Sequence, residues 1–139
     1  MTGFLLHERL AADSHLLVDW PLCQVRLLDQ RALPWLLLVP RRPDCVEITD
    51  LAAPDRVVLM EEIHRAARLL QGCCQPDKLN LGALGNLVPQ LHVHVIARWR
   101  HDPAWPGPAW GAVPAAPYGA EEARAVLDRL RAAAAAADA

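Results

Sequence analysis

Two histidines, His92 and His94, stand one residue apart in the segment Gln90-Leu91-His92-Val93-His94-Val95. Polar and apolar residues alternate throughout this segment, which is the pattern of a β-strand with one buried face. The alternation predicts that Gln90, His92 and His94 share the other face, with successive side chains roughly 7 Å apart. Two imidazoles and an amide on one face form a small reactive surface.

A glycine-containing stretch, residues 80–86, comes shortly before the two histidines. Backbone N–H groups in such a loop can bind an anion. We therefore expect Gly85 to contribute a backbone donor and Asn80 and Asn86 to contribute amide donors to a phosphate or a sugar. Together with the histidines, this loop indicates chemistry on a phosphate.

Two other interpretations of the histidine pair remain open. A histidine in a strand is often a structural residue of the core or the surface, and short motifs are weak signals. Histidines at i and i+2 on a strand can also both bind zinc, but such a site needs a third ligand. The remaining histidines and the cysteines show no ligand spacing, so we expect no metal site. These residues are His7, His15, His64, His101, Cys23, Cys45, Cys73 and Cys74.

The histidine segment resembles the signature of the histidine triad (HIT) family of nucleotide hydrolases and transferases, in which three histidines alternate with apolar residues. Gln90 stands in the place of the first histidine, and His92 and His94 stand in the places of the second and third. The upstream Asn and its glycine loop are also similar to the family, as is the apolar run of residues 33–41, which ends in Pro-Arg. The resemblance covers most of residues 14–100.

The resemblance implies a mechanism with a covalent nucleotidyl intermediate on His92 and without a cofactor. A neutral imidazole is nucleophilic near physiological pH, and its attack on phosphorus gives a phosphoramidate. His94 and Gln90 are then candidates to stabilise charge on the phosphate oxygens. Asp29 is a candidate for the ribose hydroxyls, and Arg98 falls on the reactive face by period-two counting. The resemblance also implies a homodimer.

Three positions depart from the family pattern. Gln90 cannot titrate, Trp35 stands where relatives often carry another histidine, and Leu87 stands where many relatives carry Ser or Thr. We therefore expect a hydrolase of phosphoric anhydride bonds, as in dinucleoside polyphosphates, because these leaving groups need little help from an acid. Phosphoramidates are less favoured, because their amine must be protonated. The alternative is a nucleotide-binding or scaffold protein of the same fold with little turnover.

Composition limits the remaining function classes. The 139 residues are 53% hydrophobic and 5% aromatic, which predicts one domain over residues 1–139 with an aliphatic core. A net charge of −2 gives no electrostatic footprint for a nucleic-acid polymer, although single nucleotides remain possible. The sequence has no run of 18 apolar residues and no signal-peptide layout, so we expect no membrane association, a cytoplasmic location and reduced cysteines.

The order of the predicted elements is that of an α+β fold. We expect a HIT-like antiparallel sheet of about five strands, with the last two strands central and one long helix on its apolar face. The predicted strands are residues 14–20, 22–28, 35–39, 78–81 and 90–98. The long helix is expected over residues 54–71 with Gly72 as a left-handed cap, between an N-terminal helix at about 4–11 and a C-terminal helix within 119–139.

A segment rich in proline and tryptophan, residues 99–118, follows the histidine strand. Its prolines exclude a regular helix or a central strand. We expect its tryptophans to pack over the sheet or across a dimer interface, and a cover over the nucleotide base is the sharper hypothesis.

Overall fold

Five short segments rich in apolar residues pair into one sheet in the computed structural model, which describes residues 3–137. The sheet has the strand order β1-β2-β3-β5-β4, and every neighbouring pair is antiparallel. This architecture confirms the predicted α+β fold with about five antiparallel strands. The strands are β1 (Ser14–Asp19), β2 (Cys23–Leu28), β3 (Trp35–Pro40), β4 (Lys78–Gly82) and β5 (Val93–Arg98).

Three α-helices within the described part of the chain accompany the sheet: α1 (Glu8–Asp13), α2 (Ala53–Cys74) and α3 (Ala120–Ala137). A short 3₁₀ helix (Ile48–Asp50) precedes α2. The long helix α2 packs on β3 and β5 and also contacts α3, as expected for the element that covers the apolar face. No helix within residues 3–137 is long and apolar enough to cross a membrane.

Strand β3 is buried on both faces, which explains why its sequence is continuously apolar. Leu36 and Leu38 belong to the core between the sheet and the long helix. Leu37 and Val39 belong to a second core on the opposite face, where the segment after β5 contributes Ala109. The proline- and tryptophan-rich segment therefore packs over the sheet, which is one of the two positions predicted for its tryptophans.

The helix boundaries differ from the predicted ones for local reasons. Helix α2 continues through Gly72, and Gln75 adopts the left-handed conformation with φ of 49°. The stop comes there because Pro76 cannot continue a helix. Helix α1 begins only at Glu8. The backbone N–H of His7 donates to the side chain of Gln90, and the side chain of His7 caps the helix by accepting from the N–H of Arg9. The last two residues of the predicted C-terminal helix, 138 and 139, lie outside the described residues.

The prediction that the last two strands are both central is wrong for one of them. Strand β5 lies between β3 and β4, but β4 forms the edge of the sheet. Strand β5 also begins at Val93 rather than at Gln90. Pro89 has no N–H for a strand ladder, and Leu91 donates to the carbonyl of Cys45 over 2.9 Å instead. The strand therefore starts only after Leu91.

Candidate active site

A cavity of about 390 Å³ lies beside the start of β5. The two histidines form one wall, leucines from α1, β2 and β3 form an apolar wall, and the glycine loop between β4 and β5 closes a third side. Its volume is within the usual range for sites that bind small molecules. The lining residues are Arg9, Leu10, Asp13, Leu28, Leu37, Leu84, Gly85, Asn86, Leu87, Val88, His92 and His94.

His92 is oriented by a hydrogen bond to its own strand. Its Nδ1 lies 2.6 Å from the backbone carbonyl oxygen of Gln90. A carbonyl oxygen only accepts, so Nδ1 must carry the proton. In the neutral ring, Nε2 is then left with its lone pair. This is the protonation state that a nucleophilic imidazole requires.

His94 has the complementary arrangement of protons. The indole Nε1 of Trp35 donates to Nδ1 of His94 over 2.9 Å. An indole N–H cannot accept a hydrogen bond, so this Nδ1 is unprotonated and Nε2 carries the proton. Nε2 is buried and has no hydrogen-bond partner within residues 3–137. The site therefore combines a lone pair on His92 with an N–H donor on His94.

The two rings are close enough for a charge on His92 to affect the pKa of His94. Their centroids are 5.0 Å apart, and 7% of His92 and 8% of His94 are exposed. Burial, followed by the positive charge that His92 can carry, lowers the pKa of His94 to about 4. His94 is therefore a neutral donor at physiological pH.

Two tryptophans enclose His94. Trp35 and Trp110 both meet the imidazole edge-on, with centroid distances of 5.8 and 5.4 Å. Trp110 can approach because the strand opposite His94 carries Gly82, where an added Cβ would lie 2.9 Å from Cη2 of Trp110. The proline- and tryptophan-rich segment thus covers the third motif position with a ring.

Four of the predicted site residues line the cavity together. These are His92, His94, Gly85 and Asn86. Gly85 has a φ of 70°, a conformation that glycine adopts without strain. The glycine loop therefore lies next to the histidines, as an anion-binding role would require. Leu87, one of the departures from the family pattern, lines the same cavity and is exposed.

Gln90 does not share the reactive face, which corrects the period-two prediction. Its side-chain oxygen accepts from the N–H of His7 over 2.8 Å, and its amide nitrogen donates to the carbonyl of Leu5 over 2.8 Å. The prediction failed because the backbone at Gln90 turns instead of pairing with a strand: its N–H donates to the carbonyl of Val88, and the next N–H, of Leu91, donates to the carbonyl of Cys45. Its side chain holds the N-terminal segment, and its backbone orients His92.

Arg98 and Asn80 are also occupied elsewhere. The Arg98 guanidinium is 1% exposed, and it forms two bonds of 2.8 and 3.0 Å with the carboxylate of Asp102. It also donates to the side-chain oxygen of Asn80 and to the carbonyl of Gly107. The hydrogen bond from Arg98 keeps the pKa of Asp102 well below its usual range. Arg98 therefore fixes the segment after β5, and neither it nor Asn80 lines the cavity.

Asp29 is likewise absent from the cavity wall. Its carboxylate accepts from the backbone N–H of Tyr118 and lies 3.0 Å from Nε2 of His15. Burial would raise the pKa of Asp29, but the hydrogen bonds from Tyr118 and His15 outweigh it and lower the pKa. Asp29 joins the turn after β2 to the start of the C-terminal helix, a contact that no local pattern could indicate.

Sequence reasoning missed the contribution of α1. Arg9, Leu10 and Asp13 line the cavity, and the Arg9 and Asp13 side chains lie 3.9 Å apart. The sequence shows a short helix there but gives no signal that it reaches the histidines. Among residues 3–137, no cluster of three or more His, Cys, Asp or Glu side chains could hold a metal ion.

Comparison with known proteins decides the family. The model of the HIT domain matches residues 9–101. The chain belongs to the HIT domain family. No curated protein gives a significant match. The HIT fold supports nucleotide-binding hydrolase and transferase activity in general.

Solved structures extend the similarity to nearly the whole chain. A histidine triad protein from Bradyrhizobium japonicum is 48% identical, with 94% of this chain and 97% of that chain covered and a TM-score of 0.90. One from Sinorhizobium meliloti 1021 is 46% identical, with 94% and 96% covered and a TM-score of 0.90. One from Marinobacter aquaeolei VT8 is 42% identical, with 96% and 98% covered and a TM-score of 0.92.

Proposed function

We propose that this HIT protein is a nucleotide phosphohydrolase or nucleotidyl transferase that forms a covalent nucleotidyl intermediate on His92. The observation that carries the proposal is the pair of opposite imidazole tautomers at one cavity. Nδ1 of His92 donates to the carbonyl of Gln90, which leaves Nε2 as a nucleophile. Beside it, Nε2–H of His94 is a buried donor for a phosphate oxygen.

The residues that line the cavity suit a nucleotide bound in one orientation. Leu10, Leu28 and Leu37 form an apolar surface suited to a flat base. The polar end holds the two histidines with Gly85 and Asn86, which can bind the phosphate. A base bound against the leucines would thus place its phosphate at Nε2 of His92.

The reaction would run in two displacements. In the first, the Nε2 lone pair forms a bond to phosphorus, and the bond from phosphorus to the leaving group breaks with both electrons on the departing oxygen. In the second, water attacks phosphorus, the P–N bond breaks, and His92 recovers its lone pair while the extra proton of the water passes to solvent. With another acceptor in place of water, the same intermediate gives transfer.

Phosphoric anhydrides such as dinucleoside polyphosphates are the proposed substrates. Gln90 cannot supply a proton, and its side chain is bound to the N-terminal segment. A nucleotide leaving group departs as a stable anion, whereas the amine of a phosphoramidate must be protonated. The same features favour the alternative, a nucleotide-binding or scaffold protein of this fold with little turnover.

A homodimer is part of the proposal. Strand β4 forms an edge of the sheet, and exposed edges are available for pairing with another chain. Leu81, Leu84 and Leu87 are 53%, 50% and 78% exposed at the strand and the loop that follows it. A second copy would cover this apolar surface.

We also propose a cytoplasmic location, for which the four free cysteines are suited.

The decisive experiment measures release of nucleoside monophosphate from dinucleoside polyphosphates and nucleoside phosphoramidates. The His92→Gly variant is compared with the native protein, and His101→Gly serves as the matched control because His101 is exposed and lies outside the cavity. We expect His92→Gly to lose at least about a hundredfold in kcat, as is usual when a nucleophile is removed. His101→Gly should retain native activity.

The covalent intermediate can be detected directly. Rapid quenching of the native protein with substrate, followed by intact-mass measurement, should show one added nucleoside monophosphate that is missing from His92→Gly. Turnover that survives in His92→Gly contradicts covalent catalysis at this residue. Tight nucleotide binding without turnover of any substrate supports the binding-protein alternative.

A further inference from the structure

The hydrogen bond between Trp35 and His94 can run in one direction only, because the indole N–H can donate but cannot accept. Nε1 of the indole donates to Nδ1 of the imidazole over 2.9 Å. Trp35 is 5% exposed, and its side chain also packs edge-on against Trp110 with a centroid distance of 6.1 Å. The indole is thus fixed by packing, and it donates without ever accepting.

The consequence concerns the charge that His94 can carry. The neutral ring already has its proton on Nε2, so it can become cationic only by accepting a second proton at Nδ1. That position is occupied by the indole N–H, which would have to move away first. Trp35 therefore opposes the only protonation step that is open to His94.

The other groups around His94 do not reverse this effect. Across the neighbouring strands it faces Leu37 and Gly82, and Trp110 covers its ring. His92 is the titratable group next to it, and a charge there disfavours a second charge. The charged side chains on the cavity wall are Arg9 and Asp13.

We propose that Trp35 is a positioning residue that fixes the His94 tautomer with its proton on Nε2 and, together with burial, keeps His94 a neutral hydrogen-bond donor, which restricts the site to substrates whose leaving group departs without a proton. The inference rests on the proposed covalent mechanism at His92. It adds a residue to that mechanism and a chemical limit to its substrates.

The limit follows from the acidity of the donor. A neutral imidazole N–H can stabilise charge on a non-bridging phosphate oxygen, but it does not give its proton away near neutral pH. The bond to the leaving group must then break with both electrons, and no proton, on the departing oxygen. Phosphoric anhydrides and phosphate esters of acidic alcohols meet this condition, while amines and simple alkanols do not.

The hydrogen bond can be tested without any substrate. In ¹⁵N-labelled native protein, we expect a scalar coupling across the N–H···N contact between the indole Nε1 of Trp35 and Nδ1 of His94. Trp35→Phe removes the donor and keeps an aromatic ring. Trp110→Phe is the matched control, because it also replaces an indole that packs on His94 but makes no bond to Nδ1.

The titration of His94 gives the second readout. Losing one hydrogen bond to the neutral ring should raise the midpoint of its NMR titration by about half to one pH unit in Trp35→Phe. Trp110→Phe should leave the coupling in place and shift the midpoint less. Absence of the coupling in the native protein overturns the proposal even if Trp35→Phe does not fold. An equal shift in both variants also overturns it, because the indole N–H would then have no specific role.

Activity then tests the limit on substrates. Aryl esters of a nucleoside 5′-monophosphate provide a series of leaving groups, and in the native protein we expect the rate to fall about tenfold for each unit of leaving-group pKa. At pH 5, His94 of the Trp35→Phe variant can take a second proton. The ratio of the reaction rates of esters with good and with poor leaving groups should then be about threefold to tenfold smaller in this variant than in the native protein. A shallow dependence in the native protein contradicts the proposal. If neither the esters nor the dinucleoside polyphosphates react, the proposed function fails, while the coupling and titration still decide the role of Trp35.

Discussion

Gln90 orients His92 through its backbone while its side chain holds a different part of the chain. The Gln90 carbonyl accepts from Nδ1 of His92 over 2.6 Å. Its side-chain amide forms a matched pair of hydrogen bonds with the backbone of Leu5 and His7. Since α1 follows directly and lines the cavity, one residue connects the nucleophile to the apolar wall.

Replacing Gln90 by Ala should loosen the N-terminal segment without removing the nucleophile. The backbone carbonyl that orients His92 remains, but two hydrogen bonds to Leu5 and His7 are lost. We expect a loss of about 1 kcal/mol in the free energy of unfolding, because both bonds are partly accessible to water. Hydrogen exchange at the His7 amide should accelerate, and KM should rise more than kcat falls.

Gln71→Ala is the matched control for that experiment, because Gln71 is exposed on α2 and remote from the cavity. The rate of hydrogen exchange at the His7 amide in Gln71→Ala should equal that in the native protein. If Gln90→Ala leaves both KM and exchange at His7 unchanged, the N-terminal segment is held by other contacts.

Gly82→Ala should displace Trp110 from His94. A Cβ at this position would lie 2.9 Å from Cη2 of Trp110, so the ring must shift or the strand must bend. Overpacking of this kind usually costs about 1–3 kcal/mol. Thermal unfolding and tryptophan fluorescence would report the loss of stability and the displaced ring.

Gly72→Ala provides the opposite result from the same substitution. Gly72 lies inside α2, and a Cβ there would meet nothing within 4 Å. Alanine should stabilise the helix by about 0.5–1 kcal/mol. If both glycine variants behave alike, close packing of Trp110 on Gly82 is not what restricts that position.

The sequence was sufficient for the features that depend on local periodicity. The alternation of apolar residues correctly indicated β2 and the strand of His94, and an apolar stripe at helical spacing indicated α2. The apolar run of β3 was also assigned correctly, because prolines bound a segment too short for a helix. His92 and His94 therefore lie beside the glycine loop, as their order in the chain suggested.

The contacts that complete the site could not be predicted, because they join residues far apart in sequence. Gln90 bonds to residues 83 and 85 positions earlier in the chain. Period-two counting placed Arg98 on the reactive face, but it could not show that Asp102 and Asn80 would occupy the guanidinium. Trp35 was recognised as a departure from the family, whereas its bond to His94 depends on the register of β3 against β5.

Glu62 is a further long-range contact, and it leads to a test of stability. The Glu62 carboxylate, 4% exposed on α2, accepts from the backbone N–H groups of Leu22 and Cys23 over 2.9 and 2.8 Å. In Glu62→Ala, both buried donors lose their partner, at a cost of about 1–3 kcal/mol for each group. Urea unfolding should show a total loss of at least about 2 kcal/mol. Glu61→Ala, one residue earlier and exposed, should stay within about 0.5 kcal/mol of the native protein.

The Arg98–Asp102 pair predicts a loss of stability in acid. The Arg98 hydrogen bond lowers the pKa of Asp102 in the folded protein, so the folded state binds this proton less readily than the unfolded state. The stabilisation is fully present above the unfolded pKa, which is about 4, and it is lost as pH falls toward the lower folded value. Urea unfolding at pH 7, 4 and 3 should therefore show a falling free energy of unfolding in the native protein.

Asp102→Asn should remove the contribution of Asp102 to that pH dependence, while the contribution of Asp29, whose pKa is also lowered, remains. The substitution should destabilise the protein at pH 7 by about 3–5 kcal/mol, because it leaves the buried Arg98 charge without its counterion. The side chains of Arg98 and Asp102 are 1% and 3% exposed, so solvent does not screen the pair. Asp77→Asn is the control, because Asp77 pairs with Arg100 at 3.9 Å near the surface. It should change stability by less than about 1 kcal/mol. Equal losses in the two variants would mean that burial of the Arg98 pair does not determine the stability of this end of the sheet.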